Sequence, residues 1–201
     1  MKKKLAILLP GIGYHKDKPL LYYASKLVKS LGYEVINIEY HNMPQKIQGD
    51  EKMMKKAAEV AYMNTKEQLA GVDFSAYEEV VFVGKSIGTV ALAKYISDYE
   101  PGVKDVTQIW YTPVEATFSF ASRNVTAFIG ESDPWSDLCK VKEMAAKQNI
   151  KLYTYPEGNH SLETGDVERD IAYLSEVMRI TKEVVCQTNI PLNAKVTAST
   201  Y

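Results

Sequence analysis

Cysteine is scarce in this sequence, whose 201 residues include only Cys139 and Cys186. Two cysteines far apart in the chain provide neither a disulfide framework nor a cysteine zinc site, which is typical of proteins in a reducing compartment. Charge of one sign is equally scarce, since 24 basic and 25 acidic side chains leave a net charge of −1. No overall electric field therefore favours nucleic acid or a membrane surface as a partner.

Long apolar runs are absent as well. The first run, residues 5–9, stops at Pro10 and is shorter than the core of a secretory signal peptide. No other stretch approaches the ~20 apolar residues that span a bilayer. We therefore expect a soluble cytoplasmic protein that binds a small molecule, with no nucleic acid, membrane or metal partner. The sequence does not define its oligomeric state.

Apolar runs of strand length alternate with stretches of helical periodicity along the whole chain. Strands that read as continuous apolar runs are typical of a parallel sheet covered on both faces. We predict one α/β domain over residues 1–188, a three-layer α/β/α sandwich whose mostly parallel six-stranded sheet has the order 2-1-3-4-5-6. Residues 189–201 are predicted to form a loosely held tail. The helix predicted over residues 51–70 carries methionines that we interpret mainly as core filler.

The most informative stretch is the predicted strand 80–83, which runs into Gly84-Lys85-Ser86-Ile87-Gly88 and then into a helix. A serine on a tight strand–turn–helix connection needs neighbours without Cβ atoms, and this pattern is the G-x-S-x-G nucleophile elbow. A chance occurrence in a loop is the plain alternative. A phosphate-binding Walker A loop is excluded because Glu79 stands where that motif needs glycine.

A serine nucleophile needs a histidine base and an acid that orients the base. The chain has three histidines, and only His160 follows Ser86, in a glycine-containing turn after the last predicted strand. Asp133 is the leading candidate for the acid because it lies just beyond the fifth strand. It has an alternative role as the N-terminal cap of the next helix. The reserve candidates for the acid are Glu131, Asp137 and Glu115.

An oxyanion hole needs two N–H donors, which we predict to be the amides of Ile87 and Ile12. The glycines around Ile12 do not form a dinucleotide-binding motif, because Lys16 stands where a glycine is required. The residues predicted to contact substrate are Gly11, Gly13, Tyr14, His15, Lys85 and Trp135. Tyr111, Phe118 and Phe120 are further candidates for an apolar acyl wall, with a core role as the alternative for the two phenylalanines.

Four motifs together resemble the α/β-hydrolase superfamily, in its small members without a large cap: residues 10–13, residues 84–88, Gly130-x-x-Asp133 and Asn159-His160-Ser161-Leu162. The resemblance runs from the first strand to the final helix. It implies a Ser86–His160–Asp133 triad, an acyl-enzyme intermediate that water hydrolyses, and no cofactor. This chain departs from the fuller pattern by lacking two initial strands and by having Pro10-Gly11 where many members have His-Gly.

These features together predict a serine hydrolase of the carboxylesterase or thioesterase type that acts on small esters. Too few residues separate the fourth strand from Asp133 for a large lid, so we expect a shallow, open pocket. Two alternatives remain: a binding or scaffold protein on the same fold, and an amide or peptide hydrolase that uses the same three side chains.

Overall fold

Six apolar segments form one sheet in the computed structural model of the protein, which describes residues 3–45, 47, 49–99, 101 and 106–187. The strands are β1 (Lys3–Leu9), β2 (Glu34–Asn37), β3 (Tyr77–Lys85), β4 (Val106–Tyr111), β5 (Val125–Gly130) and β6 (Lys151–Tyr155). All five pairings are parallel, and the order is β2-β1-β3-β4-β5-β6. The predicted sheet and strand order are confirmed.

Within the described residues, five α-helices cover the two faces of this sheet. They are α1 (Pro19–Ser30), α2 (Glu51–Leu69), α3 (Ile87–Tyr99), α4 (Leu138–Lys147) and α5 (Val167–Gln187). Buried side chains of α2, α3 and α4 belong to one apolar core, and those of α1 and α5 belong to the other. The predicted three-layer arrangement is therefore confirmed, and it brings the carboxyl ends of all six strands to one edge.

Alternation along the central strands supplies both cores at once. In β1, Leu5, Ile7 and Leu9 face the α2–α3–α4 side, whereas Ala6 and Leu8 face the α1–α5 side. Each of these side chains is at most 1% exposed. Burying a large aliphatic side chain in this way stabilises the fold by about 1.5–3 kcal/mol. Burial on both faces explains why the strands read as unbroken apolar runs.

Two strands differ in length from their predicted forms. β2 ends at Asn37, although apolar alternation predicts a strand to residue 40. The amide of Ile38 still bonds to Leu8 at 2.9 Å, after which the chain leaves this edge strand. β3 begins earlier than residue 80, at Tyr77, because its polar start is paired with β1, where Lys4 and Glu79 form an ion pair at 2.9 Å.

Two expectations drawn from composition can be compared with the described residues. Cys139 and Cys186 are both free thiols. No helix among the residues that the structure describes is long and apolar enough to cross a bilayer. The predicted tail, residues 189–201, lies outside the described residues.

The turn between β3 and α3 depends on two close approaches of the backbone. A Cβ added at Gly84 would overlap Leu92 and the backbone of Gly88, and one added at Gly88 would overlap the carbonyls of Leu9 and Pro10. Glycine at both positions lets α3 begin directly against the end of β1. The elbow is therefore fixed by contact with the neighbouring strand as well as by its own turn.

We predict that Gly88→Ala lowers the free energy of unfolding by about 2 kcal/mol, because overpacking against fixed backbone typically costs about 1–3 kcal/mol. In an ordinary helix the same change stabilises by about 0.5–1 kcal/mol, so the sign of the effect is diagnostic. Urea unfolding followed by circular dichroism measures it. The matched control is Gly71→Ala, where an added Cβ meets nothing within 4 Å. Equal stability of the two variants would contradict the close approach.

Candidate active site

Ser86 occupies the sharp turn between β3 and α3. Its φ is +55°, a left-handed conformation that side chains other than glycine rarely adopt and that often marks a functional position. The amide of Ser86 bonds to the carbonyl of Tyr111 in β4 at 2.9 Å, and its carbonyl accepts from the amide of Thr89 at 2.8 Å. These bonds hold the serine at the carboxyl edge of the sheet, with its side chain directed away from the core.

His160 lies on the loop that follows β6. Its Nε2 atom is 2.7 Å from Ser86 Oγ, and 18% of its side chain is exposed. The preceding residue, Asn159, holds the turn because its Oδ1 accepts from the amides of Ser161 at 2.7 Å and Glu163 at 3.2 Å. Asparagine before a tight turn is the usual signal of such side-chain-to-backbone bonds, so Asn159 positions the histidine loop.

Asp133 completes a hydrogen-bonded chain with these two residues. Its Oδ2 is 2.7 Å from His160 Nδ1, its Oδ1 accepts from the amide of Trp135 at 2.9 Å, and its side chain is 1% exposed. A carboxylate facing Nδ1 holds the proton there, so Nε2 presents a lone pair to the serine hydroxyl. The arrangement can remove a proton from Ser86 as that oxygen attacks an electrophile.

The charge state of His160 suits a base. Burial, the largest influence, lowers the pKa of His160 below its ordinary value of 6.5, and the nearby charge of Lys85 lowers it further. The hydrogen bond and charge of Asp133 oppose this shift by favouring the protonated ring. The net direction is downward, so the imidazole is neutral near pH 7.

The reserve acids have other partners. Asp137 caps α4 by accepting from the amide of Lys140 at 3.1 Å, so the alternative of Asp133 as this cap is wrong. Glu115 accepts from the amide of Asp137 at 2.8 Å, and Glu131 forms an ion pair with Lys142 at 3.7 Å. Asp133 is the acid that bonds to the histidine.

The two predicted oxyanion donors lie on either side of Ser86. Ile87 is the first residue of α3, where the helix supplies no acceptor for its amide. Ile12 lies in a turn closed by two bonds between Gly11 and Tyr14, at 3.1 and 3.3 Å. A Cβ added at Gly11 would be 3.2 Å from Ser86 Cβ, so this turn packs directly on the elbow. The oxyanion role of both amides remains a prediction.

A cavity of about 700 Å³ opens at Ser86 and His160. Its lining is mostly apolar and comes from the Ile12 turn, the start of α3, the segment after β4, α4 and the first turns of α2. The apolar lining residues are Ile12, Ile47, Met54, Ala58, Ile87, Val90, Val114, Ala116, Trp135 and Met144, and charged side chains of Glu51, Lys55, Glu115 and Lys140 complete it. This volume is within the range of sites that enclose a small molecule.

The residues predicted to contact substrate fall into three groups. Trp135 lines the cavity, with its ring centroid 5.8 Å from that of His160. Gly11, Gly13 and His15 line a second pocket of about 420 Å³ that shares Ile12 with the first. Their contact with substrate remains a prediction.

Tyr14 and Lys85 form the third group, and their placement corrects the sequence interpretation. Tyr14 is 7% exposed and Lys85 is 0% exposed, so both side chains lie beneath the site and line neither pocket. The Lys85 ammonium instead lies 4.8 Å from the centre of the Tyr14 ring. The strand pattern explains this, since Val81, Val83 and Lys85 share the face of β3 that α1 and α5 cover.

The predicted acyl wall also needs correction. Phe118 packs edge-on against the buried Trp110 at 5.4 Å, and the hydroxyl of the fully buried Tyr111 bonds to Thr181 at 2.9 Å. Phe118, Tyr111 and Phe120 do not line the cavity. Met54 does line it, so at least one methionine of α2 contributes to the pocket rather than to the core alone.

No group of three or more histidine, cysteine, aspartate or glutamate side chains with the geometry of a metal site occurs among the described residues. Lys85 and Tyr14 are buried too deeply to hold a cofactor in the cavity.

Comparison with known proteins identifies the fold. No protein-family model and no curated protein matches the chain, whereas several solved structures do. Est1E from Butyrivibrio proteoclasticus, solved with ferulic acid bound, superposes with a TM-score of 0.66 at 12% identity, over 92% of this chain and 89% of that one. An α/β serine hydrolase homologue from Coxiella burnetii gives 0.63 at 15% identity, over 89% and 84%. A lidless α/β serine hydrolase from Xanthomonas campestris gives 0.58 at 13% identity, over 95% and 84%.

The chain has the α/β-hydrolase fold. Its likeness to a lidless structure agrees with the short segment between β4 and Asp133, which leaves no room for a large cap. The sequence identities are low, so the likeness shows the fold alone. The chemistry of the site depends on its own side chains.

We predict that Ser86 reacts with a fluorophosphonate probe at a rate that stays constant as the pH falls through 6.5, the ordinary histidine pKa. A base with a lowered pKa stays neutral, and therefore active, to a lower pH, and the rate falls only when the ring is protonated. Stopped-time labelling across a pH series, with mass spectrometry to locate the adduct, measures the midpoint. A midpoint above 6.5 would contradict the downward shift.

Asp133→Asn and Asp137→Ala are expected to affect different properties, the first the rate of labelling and the second the stability of the fold. The first should preserve the fold and slow labelling by about 10³–10⁴-fold, because an amide favours the wrong histidine tautomer. The second should lower the free energy of unfolding by about 1 kcal/mol through the lost cap while labelling continues. Labelling rates and thermal unfolding of both variants test this pair. Normal labelling of Asp133→Asn would show that the orienting acid lies elsewhere.

Proposed function

We propose that this protein is a serine hydrolase that cleaves carboxylic esters or thioesters through an acyl-enzyme intermediate. The observation that carries the proposal is the hydrogen-bonded chain Ser86–His160–Asp133, with 2.7 Å at each link, at the mouth of an apolar cavity. A strained serine, a neutral buried base and a buried acid serve acyl transfer, and a site that only bound a ligand would need none of them.

In the first half of the reaction, Ser86 Oγ attacks the carbonyl carbon and its proton passes to His160 Nε2. The ring becomes an imidazolium stabilised by the Asp133 carboxylate. The carbonyl π electrons move to oxygen, and the resulting oxyanion is stabilised by the amides of Ile87 and Ile12. When the tetrahedral adduct collapses, His160 returns the proton to the departing alcohol or thiol, and the acyl group stays on Ser86.

In the second half, a water molecule takes the place of the alcohol. His160 removes its proton as the oxygen attacks the acyl carbon, and the same two amides stabilise the second oxyanion. Collapse releases the carboxylic acid and returns the proton to Ser86 Oγ. The cycle consumes one water and needs no oxidant or reductant.

The cavity defines the acyl group that we propose. Its volume of about 700 Å³ is larger than an acetyl group fills, and its lining is mostly apolar. The sequence predicts a shallow pocket for small esters; we extend the proposed substrates to acyl groups of medium length or with an aromatic ring. The ferulic acid bound to Est1E is an aromatic carboxylic acid, which agrees with this range. The first turns of α2 contribute Met54 and Ala58 to this apolar lining.

We predict that Ser86→Ala lowers ester turnover by about 10³-fold or more, because the three side chains act as a unit. Hydrolysis of p-nitrophenyl and thioester substrates, with the fluorophosphonate probe as a second readout, tests the proposal. The control is Ser132→Ala, which removes an exposed hydroxyl next to Asp133. Turnover that survives in Ser86→Ala would overturn the assignment, and folded wild-type protein that is never labelled would favour a binding protein.

We also predict that kcat/KM rises with acyl length from acetate to about octanoate. Each methylene buried in the cavity contributes about 0.8 kcal/mol, or roughly fourfold. Ala58→Phe fills the cavity and should remove this gain while acetate hydrolysis changes little. Lys56→Phe places the same ring on an exposed position of α2 as control. If kcat/KM of the wild type instead falls with acyl length, the short-chain interpretation is correct. Comparing matched ester and amide substrates distinguishes an esterase from an amide hydrolase.

A further inference from the structure

Lys85 is a buried charge directly beneath the candidate nucleophile. It is the last residue of β3 and the immediate neighbour of Ser86. Its side chain is 0% exposed and lies among the apolar side chains between the sheet and the α1–α5 layer, next to Val83 and Tyr14. Lysine is almost never fully buried without a partner, so its presence here needs an explanation.

The surroundings of Lys85 satisfy it poorly. Among the described residues its Nζ atom has no hydrogen-bond acceptor, and it lies 4.8 Å from the centre of the Tyr14 ring. Burial accordingly lowers the pKa of Lys85 to about 7, although the charges of Asp133 and Glu163 act in the opposite direction. An apolar side chain of similar length at this position would avoid the desolvation of an ammonium group. Stability alone therefore does not explain the lysine.

The groups that interact with Lys85 come from three loops of the site. Tyr14 belongs to the turn after β1, Asp133 to the loop after β5, and His160 and Glu163 to the loop after β6. A positive charge at this place attracts the Asp133 carboxylate and opposes a second proton on His160. The second effect favours the neutral ring, which is ready to accept the Ser86 proton.

We propose that Lys85 is a positioning residue whose ammonium group, buried beneath Ser86 and against the Tyr14 ring, opposes protonation of His160 and so extends the activity of the site to lower pH. The effect on turnover rests on the proposed hydrolase function; the effect on the histidine does not. Because Lys85 is charged mainly below about pH 7, its influence is greatest on the acidic side, where His160 would otherwise gain a proton.

Lys85→Met removes the charge and keeps an unbranched side chain of similar length. We expect the midpoint of the acidic fall in Ser86 labelling to move up by about one pH unit, the size of effect typical of one nearby charge. The ratio of wild-type to variant rate should be larger at about pH 6 than at about pH 9. The control for net charge is Lys29→Met, at an exposed position of α1, which should leave the midpoint in place.

A second readout is independent of catalysis. The His160 ring is titrated by NMR in Ser86→Ala protein, with and without Lys85→Met, and His160→Gln identifies its signal among the three histidines. An upward shift of the His160 titration on removal of Lys85 supports the proposal even when no ester is cleaved. If the fluorophosphonate probe does not label wild-type protein, the proposed function is wrong. If Lys85→Met leaves the His160 titration unchanged, the proposed role of Lys85 is wrong.

Thermal unfolding separates this role from a structural one. Lys85→Met should be as stable as the wild type or more stable, because an unpaired buried ammonium is removed. A variant that is less stable, and slower by the same factor at every pH, would show that Lys85 merely packs. If Lys85→Met does not fold, Lys85→Gln removes the same charge with a polar side chain, and an unchanged midpoint there overturns the proposal.

Discussion

The close contact between the start of α3 and the end of β1 is the constraint on which the site depends. Gly88 lies against the carbonyls of Leu9 and Pro10, so the helix begins where the first strand finishes. Beside this contact, Ser86 adopts a left-handed conformation at the sheet edge, and the Ile12 turn packs against it. One backbone approach therefore brings together the nucleophile and both of the amides that we assign to the oxyanion.

The electrostatics of the site show why stability and reactivity are separate demands. Asp133, His160 and Lys85 all have largely buried side chains, and their charges act on one another. Each would be easier to accommodate in water, and an apolar cluster of the same shape would be more stable. Burial removes water from around the imidazole and strengthens every charge that acts on it. The fold tolerates this cluster because two large apolar cores flank it, one on each face of the sheet.

Local patterns predicted most of the site before any contact was known. The Gly84–Gly88 turn, the position of His160 after the last strand and the aspartate after β5 follow from chain order and turn chemistry. The same patterns failed where burial decided the outcome. Lys85 was predicted to contact substrate, yet the two-residue alternation along β3 places its side chain in the core. Met54 looked like core filler, yet the first turns of α2 extend over the pocket.

By itself the sequence determined the α/β class, the strand order and the serine and histidine of the candidate triad, because apolar periodicity and glycine turns are local signals. Tertiary structure alone decided which acid bonds to the histidine, since Asp133 and Asp137 carry the same cap signature and differ only in what they contact. It also decided the size of the cavity, which arises between α2, α4 and the Ile12 turn, elements far apart in the chain. Distances between such elements are a property of packing, and no window of the sequence contains them.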